Sequence, residues 1–519
     1  MTASSDEALL AWAERIEGAE RAAQSGTTRP LRNYQTTAVD AVCNAIDAGQ
    51  RRILLQLPTG GGKTRIAAEL IKQEFDAGER VLFIVPRLSL IEQSARSFEA
   101  EGIADVGVIQ GRHHRTNRHA RAQVASVQTL GRRKLPDGIG LAIVDEAHLQ
   151  FKTLQKVMGC RSWAQVPFVG LSATPWSKGL GKWYRLLLKP VSAGELIGAG
   201  HLVPPKVFCP PGPDLSGVKI TAGDFNEGQL SKAVNTTELV GNVIQTWLAK
   251  GEQRPTLVYG VDRAHAQHLQ ERFIEAGIAA AYIDGETAMF EREDIFEQFR
   301  CDDVKVITSV GCLDTGLDLP MASCIVDARP TQSEMRHVQT IGRGLRTFPG
   351  KVNCIVLDHA GNTRRLGLVT DIDYDVLDDG TPAAAAKRKA AKRICEAIFC
   401  GECHAQLPVP KPRVCPDCGK IFYAVTPVKE RDGELVEYGS NRSGNAAEPS
   451  PATKAIWHGA LLRIARERGY KAGWATYKYR EKFGHWPPRF PATECEPTVE
   501  IRNWVWSRTI AYAKARTSL

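Results

Sequence analysis

Short apolar runs alternate with longer segments whose apolar positions recur at helical spacing along most of this chain. The runs Arg52 to Leu57, Leu141 to Val144, Thr256 to Tyr259, Val304 to Ile307, Cys324 to Val326 and Cys354 to Leu357 read as buried strands. The stretch from Lys63 onward and that from Ala264 to Ala276 read as helices. Strands alternating with helices predict an α/β fold with parallel sheets, and the pattern, once completed, starts again near Thr256. Two tandem lobes are therefore expected.

The first lobe carries the chemistry. Strand Arg52 to Leu57 runs into Pro58-Thr59-Gly60-Gly61-Gly62-Lys63-Thr64 and then into a helix. Glycines at 60, 61 and 62 let backbone N–H groups converge on phosphate oxygens at a helix N-terminus, where Lys63 reaches the outer phosphates and Thr64 can hold Mg²⁺. Leu57 stands where such loops usually open with Gly or Ala. The run Leu141 to Val144 ends in Asp145-Glu146-Ala147-His148, which sends two carboxylates out at the carboxyl end of a strand. Asp145 is expected to hold Mg²⁺, and Glu146 to orient and deprotonate the water that attacks ATP.

These segments, with others in the same order, resemble the motifs of superfamily 2 helicases of the DEAH-box kind. Leu31-Arg32-Asn33-Tyr34-Gln35 is similar to the adenine-reading segment, with Arg32 and Gln35 as the base contacts and Asn33 in place of the commoner Pro. Val85-Pro86-Arg87 and Ser126-Val127-Gln128-Thr129 resemble first-lobe segments that hold a nucleic-acid backbone, and Thr308 is the corresponding second-lobe expectation. Ser172-Ala173-Thr174 resembles the motif that, with His148, couples hydrolysis to movement. Asp314-Thr315-Gly316-Leu317-Asp318 and Gln339-Thr340-Ile341-Gly342-Arg343-Gly344-Leu345-Arg346 resemble the fifth and sixth motifs. The resemblance implies two RecA-like lobes with ATP between them. It also implies Gln339 near the attacking water, Arg343 and Arg346 as arginine fingers, and Gly316 and Asp318 near phosphate and ribose.

Leu202-Val203-Pro204-Pro205, Ala328-Arg329-Pro330-Thr331 and Ile355-Val356-Leu357-Asp358-His359-Ala360-Gly361-Asn362 narrow the resemblance to the RadD branch of bacterial and phage helicases, related to type I and type III restriction motors. That branch implies DNA repair or recombination beside a recombinase and single-strand-binding protein. It also implies single-stranded or forked DNA in preference to RNA, and the cytoplasm and nucleoid of a bacterial or phage-infected cell. Two other readings stay open: a double-strand translocase, remodeler or restriction-type motor, and a non-catalytic adaptor.

Composition changes this picture at the C-terminal end. The 519 residues are 43% hydrophobic, enough for several domains, without the roughly 18 uninterrupted apolar residues of a membrane helix. Met1 to Ala23 is acidic and amphipathic and lacks the layout of a signal peptide. Most of the 13 cysteines are scattered singly, but Cys400-x-x-Cys403 and Cys415-x-x-Cys418 have zinc-ribbon spacing in a segment with little core of its own. Structural Zn²⁺ is expected there, with His404 a bystander; a redox pair or free thiols would be the plainer alternative.

Net charge is +9, unevenly spread: from Lys387 on, 24 Lys and Arg face 13 Asp and Glu, while the remainder holds 43 against 45. A basic run at Lys387 to Arg393 precedes the cysteines, and a Ser, Asn, Gly and Pro-rich linker spans Asn441 to Pro451. Beyond it, Trp457, Tyr470, Trp474, Tyr477, Tyr479, Phe483, Trp486, Trp504, Trp506 and Tyr512 lie among basic residues. Such rings can be the core of a small helical domain or can stack bases. The expected layout is an N-terminal helical arm over 1–29, lobes over 30–205 and 206–375, a basic helix and zinc ribbon over 376–440, and a linker with a basic aromatic-rich domain over 441–519.

Overall fold

The computed structural model describes residues 30–111, 113–221, 223–313, 319–383, 397–422, 449–471, 473–488 and 492–517. The N-terminal arm, Gly316 and Asp318, the basic run Lys387 to Arg393 and most of the linker lie outside them. The chain divides into a large unit ending at Val425 and a small one beginning at Thr426.

Two parallel sheets form the large unit. The first contains β1 (Arg52–Gln56), β2 (Arg80–Val85), β3 (Val106–Ile109), β4 (Ala122–Ser126), β5 (Ile139–Val144), β6 (Phe168–Ser172) and β7 (Leu186–Leu188), in the order β3-β4-β2-β5-β6-β1-β7. Apart from the half-buried edge strand β7, the strands are buried on both faces, which is why their sequences are largely apolar. Ile53 and Leu55 of β1 pack into one core with Val81 and Phe83 of β2, whereas Leu54 packs on the other face with Leu82 and Ile84. That is the period-two alternation of a strand. Each such aliphatic, fully buried, contributes roughly 1.5–3 kcal/mol. Helices α1 (Asn33–Asp47) and α2 (Lys63–Asp76) cover the first of these faces through Ala38, Val39, Val42, Ile66, Ala67 and Leu70.

The second sheet contains β8 (Pro205–Phe208), β9 (Thr256–Tyr259), β10 (Ala280–Ile283), β11 (Val306–Ser309), β12 (Cys324–Asp327) and β13 (Cys354–Asp358), in the order β10-β11-β9-β12-β13-β8. Leu257 and Tyr259 face one core and Val258 the other. The strand expected at Val304 to Ile307 begins two residues later. As a result Thr308 sits inside β11 with no exposed surface, its hydroxyl directed to the Ala281 carbonyl at 3.5 Å. Thr308, expected to touch nucleic acid, thus has no surface open to it in this arrangement.

Three segments fasten the lobes to each other and to the cysteine knuckles. The link between the sheets runs beside helix α3 (Glu334–Gly344): Val203 N–H donates to the Leu345 carbonyl at 2.8 Å, and Leu202 bridges Arg346. At the carboxyl end of the second sheet, Asp358 accepts from the N–H groups of Asn362 (3.0 Å) and Thr363 (2.5 Å), holding the short helix α4 (Asn362–Leu366). Asn362 in turn donates to Asp327 at 2.8 Å. The segments 328–331 and 355–362 are thus joined in one buried polar network.

Residues 373–378, around the boundary expected between the second lobe and the cysteine segment, form a strap lying on the first lobe. Gln56 donates to Asp373 at 3.0 Å, Lys189 pairs with Asp373 (2.6 Å) and Asp375 (2.7 Å), and Gly181 N–H donates to the Asp378 carbonyl at 2.8 Å. The cysteine segment, with hairpin β14 (Ile398–Phe399) and β15 (Gln406–Leu407), extends the outer edge of β8 through a Phe208–Ala405 bridge and a Lys206–Asp417 ion pair at 2.6 Å.

The small unit is helical, with α5 (Pro451–Glu467), α6 (Trp474–Phe483) and α7 (Val499–Thr517). Its core is Trp457, Ala460, Leu461, Ile464, Ala475, Tyr479, Ile501 and Val505. Tyr470, Trp474, Phe483 and Trp504 pack against that core. The core reading of the rings therefore holds for most of them. Tyr477, Trp486 and Trp506 are exposed instead, and the side chain of Tyr512 lies outside the described residues.

The strap yields a stability prediction. Asp373→Ala strips the buried Gln56 amide of its acceptor and Lys189 of one carboxylate, and should cost about 1–3 kcal/mol. The measurement is the denaturant midpoint of the full chain; a midpoint equal to that of the wild type would show the strap to be dispensable.

Candidate active site

The glycine loop closes β1 and opens α2. Gly60 and Gly62 have φ of 86° and 81°, left-handed values that a side chain resists, and a Cβ on Gly62 would lie 2.4 Å from the Gln35 amide nitrogen. Gly61 N–H closes a turn onto the Pro58 carbonyl at 2.8 Å. The N–H groups of Lys63 and Thr64 fall in the first turn of α2, where a helix has no acceptors of its own. Such a cradle fits a polyphosphate.

Asp145 and Glu146 leave β5 beside this loop. Lys63 Nζ lies 2.9 Å from Glu146 Oε1. Glu146 has φ of 46°, an uncommon conformation for a residue with a side chain, and its N–H donates to Asp145 Oδ1 at 3.0 Å. Burial, and then the neighbouring Glu146 charge, push the Asp145 carboxyl up from its ordinary range. Burial acts in the same direction on Glu146, but the Lys63 ammonium hydrogen-bonded to it, with Arg343 beyond, holds that carboxyl below its usual value. Asp145, with the hydroxyl of Thr64 on the adjoining helix, offers the hard oxygen donors that Mg²⁺ takes.

His148 joins the carboxylates to the second lobe. Its Nδ1 lies 3.0 Å from Ser172 Oγ, and Gln339 Nε2 approaches both His148 Nε2 and Thr174 Oγ1 at 3.2 Å. Because the Gln339 amide nitrogen can only donate, His148 must carry its proton on Nδ1, which then donates to Ser172 Oγ. Burial lowers the His148 pKa to about 4, so the ring is neutral near pH 7 and has the Nε2 lone pair this contact needs.

The rest of α3 follows from its period. Gly342, one turn from Gln339, packs against Thr59 so closely that a Cβ would lie 2.8 Å from the Thr59 Cβ. Arg343 is buried, and its charge acts on both Asp145 and Glu146. Arg346 lies against the glycine loop, its Cγ 3.3 Å from where a Cβ on Gly60 would be. Gln339, Arg343 and Arg346 thus reach one cleft from a single helix and its end.

Gln35 accepts from Arg32 N–H at 3.0 Å, and the Tyr34 hydroxyl donates to the Gly61 carbonyl at 3.0 Å. Sequence reasoning missed Tyr34 as a loop anchor, and missed His201, whose ring lies 5.7 Å from that of Tyr34. No local motif marks either, since both matter through contacts distant in sequence. At the carboxyl edge of the first sheet, Gln128 donates to the Pro86 carbonyl at 2.9 Å, and Ser126 Oγ accepts from Thr129 N–H at 3.2 Å. Pro86 is buried, whereas Arg87 and Gln128 are exposed.

The four cysteines converge. Cys400 and Cys418 Sγ are 3.7 Å apart, Cys403 and Cys415 Sγ 3.6 Å, and all four lie within 4.8 Å of one another. A tetrahedral ion with Zn–S bonds of about 2.3 Å needs sulfurs about 3.8 Å apart, so the set fits zinc. Glu92, His113 and His114 also approach each other. There the Arg115 N–H donates to His113 Nδ1 at 3.2 Å, which leaves the proton of a neutral ring on Nε2, the atom facing Glu92, and argues against a metal.

The low His148 pKa carries a pH prediction. Between the ordinary value of 6.5 and about 4, the unfolded chain binds a proton that the folded one refuses, so stability falls as pH falls through that window. For His148 alone the loss from pH 7 to pH 5 should be about 2 kcal/mol, opposed by the raised Asp145 carboxyl, which takes up a proton in the folded chain over the same range. His148→Gln should reduce this acid sensitivity in denaturant titrations at the two pH values; equal sensitivity in both proteins would contradict a buried neutral His148.

Comparison with known proteins agrees with this geometry. Residues 28–177 match the family model for the type III restriction enzyme res subunit, and residues 238–347 match that for the helicase conserved C-terminal domain. The Saccharomyces cerevisiae protein named ATP-dependent helicase IRC3 is 32% identical over 360 residues, covering 64% of this chain. The chain spans about half of that relative's length, 51%. A solved fragment named as the HsdR subunit of a type I restriction enzyme from Vibrio vulnificus shares the fold at a TM-score of 0.53 and 19% identity, over 70% of each chain. The type ISP restriction-modification enzyme LlaBIII, solved bound to DNA, shares it at a TM-score of 0.50 and 16% identity, over 64% of this chain and 28% of that one. The chain thus carries both domains of the superfamily 2 helicase motor and is similar to the motor subunits of type I and type III restriction enzymes and to IRC3-like helicases.

Proposed function

We propose that the protein is an ATP-dependent DNA helicase that hydrolyses ATP in the cleft between its lobes to translocate on and unwind DNA. The observation that carries this reading is the reach of Gln339 across the cleft to His148 and Thr174, because it makes the relation between the lobes depend on the groups beside the carboxylates. Thr59, Gly60, Gly61, Gly62 and Lys63 would hold the phosphates, Arg32 and Gln35 the adenine, and Thr64 and Asp145 the Mg²⁺. The ion would supply positive charge to the phosphoryl oxygens. Glu146 would orient and deprotonate the attacking water once Lys63 turns to the phosphates, while Arg343 and Arg346 stabilise charge on the transferring group.

His148, Ser172, Thr174 and Gln339 would convert the state of that cleft into lobe movement. Pro86, Arg87, Gln128 and Thr129 line one carboxyl edge, where they would grip sugar and phosphate with little sequence preference. We assign 30–205 and 206–375 to the lobes, with the strap as a tie between them. DNA as substrate is supported by the likeness to restriction motors. A role in repair or recombination with a recombinase and single-strand-binding protein, within the cytoplasm, rests on the RadD-like segments alone. Among the described residues no helix is long and apolar enough to cross a membrane.

The cysteine cluster is read as a structural zinc ribbon. Its docking on β8 makes the metal a stabiliser of the second lobe's edge. About one zinc per chain is expected by elemental analysis, lost in Cys403→Ser with Cys415→Ser together with a lower melting temperature; full metal content in that variant would remove the assignment.

Steady-state ATP hydrolysis tests the motor. Stimulation by single-stranded or forked DNA should fall at least about 10²-fold in Lys63→Ala and in Glu146→Gln, with unwinding of a tailed duplex lost alongside. Preference for blunt duplex without strand separation would favour the translocase reading, and hydrolysis that survives both substitutions would defeat the assignment of the cleft.

A further inference from the structure

The small unit has a surface that its own core does not explain. Helix α6 buries Ala475 and Tyr479, while Tyr477, two residues along and so on the far side of the helix, is 67% exposed. Gly484 then ends the helix in a left-handed conformation, its N–H bonded to the Arg480 carbonyl at 2.8 Å, and turns the chain back. That turn brings Trp486 to Tyr477, ring centroids 5.3 Å apart at 73°, and the Arg480 guanidinium lies over Trp486 at 4.5 Å. Trp486 remains 48% exposed. Apolar burial cannot be the reason for this arrangement, since the tryptophan is placed against an exposed tyrosine and a cation.

The small unit carries an excess of basic residues. Residues 449–519 hold 13 Lys and Arg against 5 Asp and Glu. Glu467 pairs with Arg463, Glu481 with Lys478, Glu494 with Arg466, and Glu496 with Arg463 and Arg502. Arg480 pairs with no described carboxylate. Lys454 lies 3.2 Å from His485, the residue before Trp486. An exposed ring pair with the Arg480 guanidinium beside it suits a ligand with flat faces and negative charge.

We propose that Tyr477, Trp486 and Arg480 form a stacking platform for the unpaired bases of a single-stranded nucleic acid, separate from the motor cleft. The rings take the bases, and Arg480 meets the phosphates. Stacking is indifferent to base identity, so the platform confers a preference for unpaired strand and none for sequence. This site stands on its own geometry and does not depend on the motor reading.

The test uses the full chain and fluorescence anisotropy with two strands of equal length, one of thymidines and one abasic, which has the phosphates without the bases. The wild type should bind the thymidine strand more tightly. Tyr477→Ala with Trp486→Ala should lose that difference, a fall of roughly 5- to 150-fold for each base released, and should bind the abasic strand as before. Tyr477→Phe with Trp486→Phe should retain the preference, because rings suffice. ATP hydrolysis without nucleic acid should be unchanged in both variants, which separates failure here from failure of the motor. Equal affinity of wild type and the alanine variant for the thymidine strand would overturn the proposal. So would equal losses on both strands, which would mark a phosphate or folding effect, or a difference seen only with a protein partner.

Discussion

The contact of Gly342 with Thr59 is the constraint on which the cleft depends. A helix from the second lobe can come onto the glycine loop of the first only where no side chain intervenes, and there a Cβ would lie 2.8 Å from that of Thr59. Once that approach is made, helical period does the rest: Gln339 and Arg343 lie a turn or less to either side and Arg346 just beyond. Any residue larger than glycine at 342 would part the lobes and withdraw all three groups together. The same economy recurs beneath the helix, where a Cβ on Gly344 would lie 2.4 Å from Cys354 Sγ, so that α3 sits directly on its own sheet.

A second theme is the use of buried polarity as framework. Asp327, Asp358, Asn362 and Thr331 satisfy one another at the carboxyl end of the second sheet. The segments that narrow the family resemblance are therefore largely the joints of this network and of the lobe link, and their contribution is to hold α4 and that link in place. In the first lobe the buried polar groups are balanced differently. Asp145, Glu146, Lys63 and His148 are desolvated together, and the opposing pulls on the two carboxyls leave one raised and the other lowered.

The periphery follows a simpler logic. The cysteine segment has too few apolar residues to fold unaided, and it borrows the edge of β8, which would otherwise present unpaired backbone groups. In the small unit, Trp457 and Tyr479 supply core area that aliphatics would otherwise provide. The ring surface at Tyr477 and Trp486 is what remains after that core is complete.

The sequence by itself determined the local chemistry: strands at β1, β5, β9, β12 and β13 close to their expected bounds, the glycine loop, the paired carboxylates and the cysteine spacing. All of these are legible because they depend on neighbours within a few residues, through period, turn geometry and ligand spacing. Tertiary structure alone decided that Thr308 is interior, that residues 373–378 reach back to the first lobe, that Tyr34 anchors Gly61, and that Gln339 meets His148. Those facts join residues from 27 to more than 300 positions apart. No pattern within one segment encodes such a distance, because which face of a helix or strand meets which partner is settled only when the sheets and their connections pack.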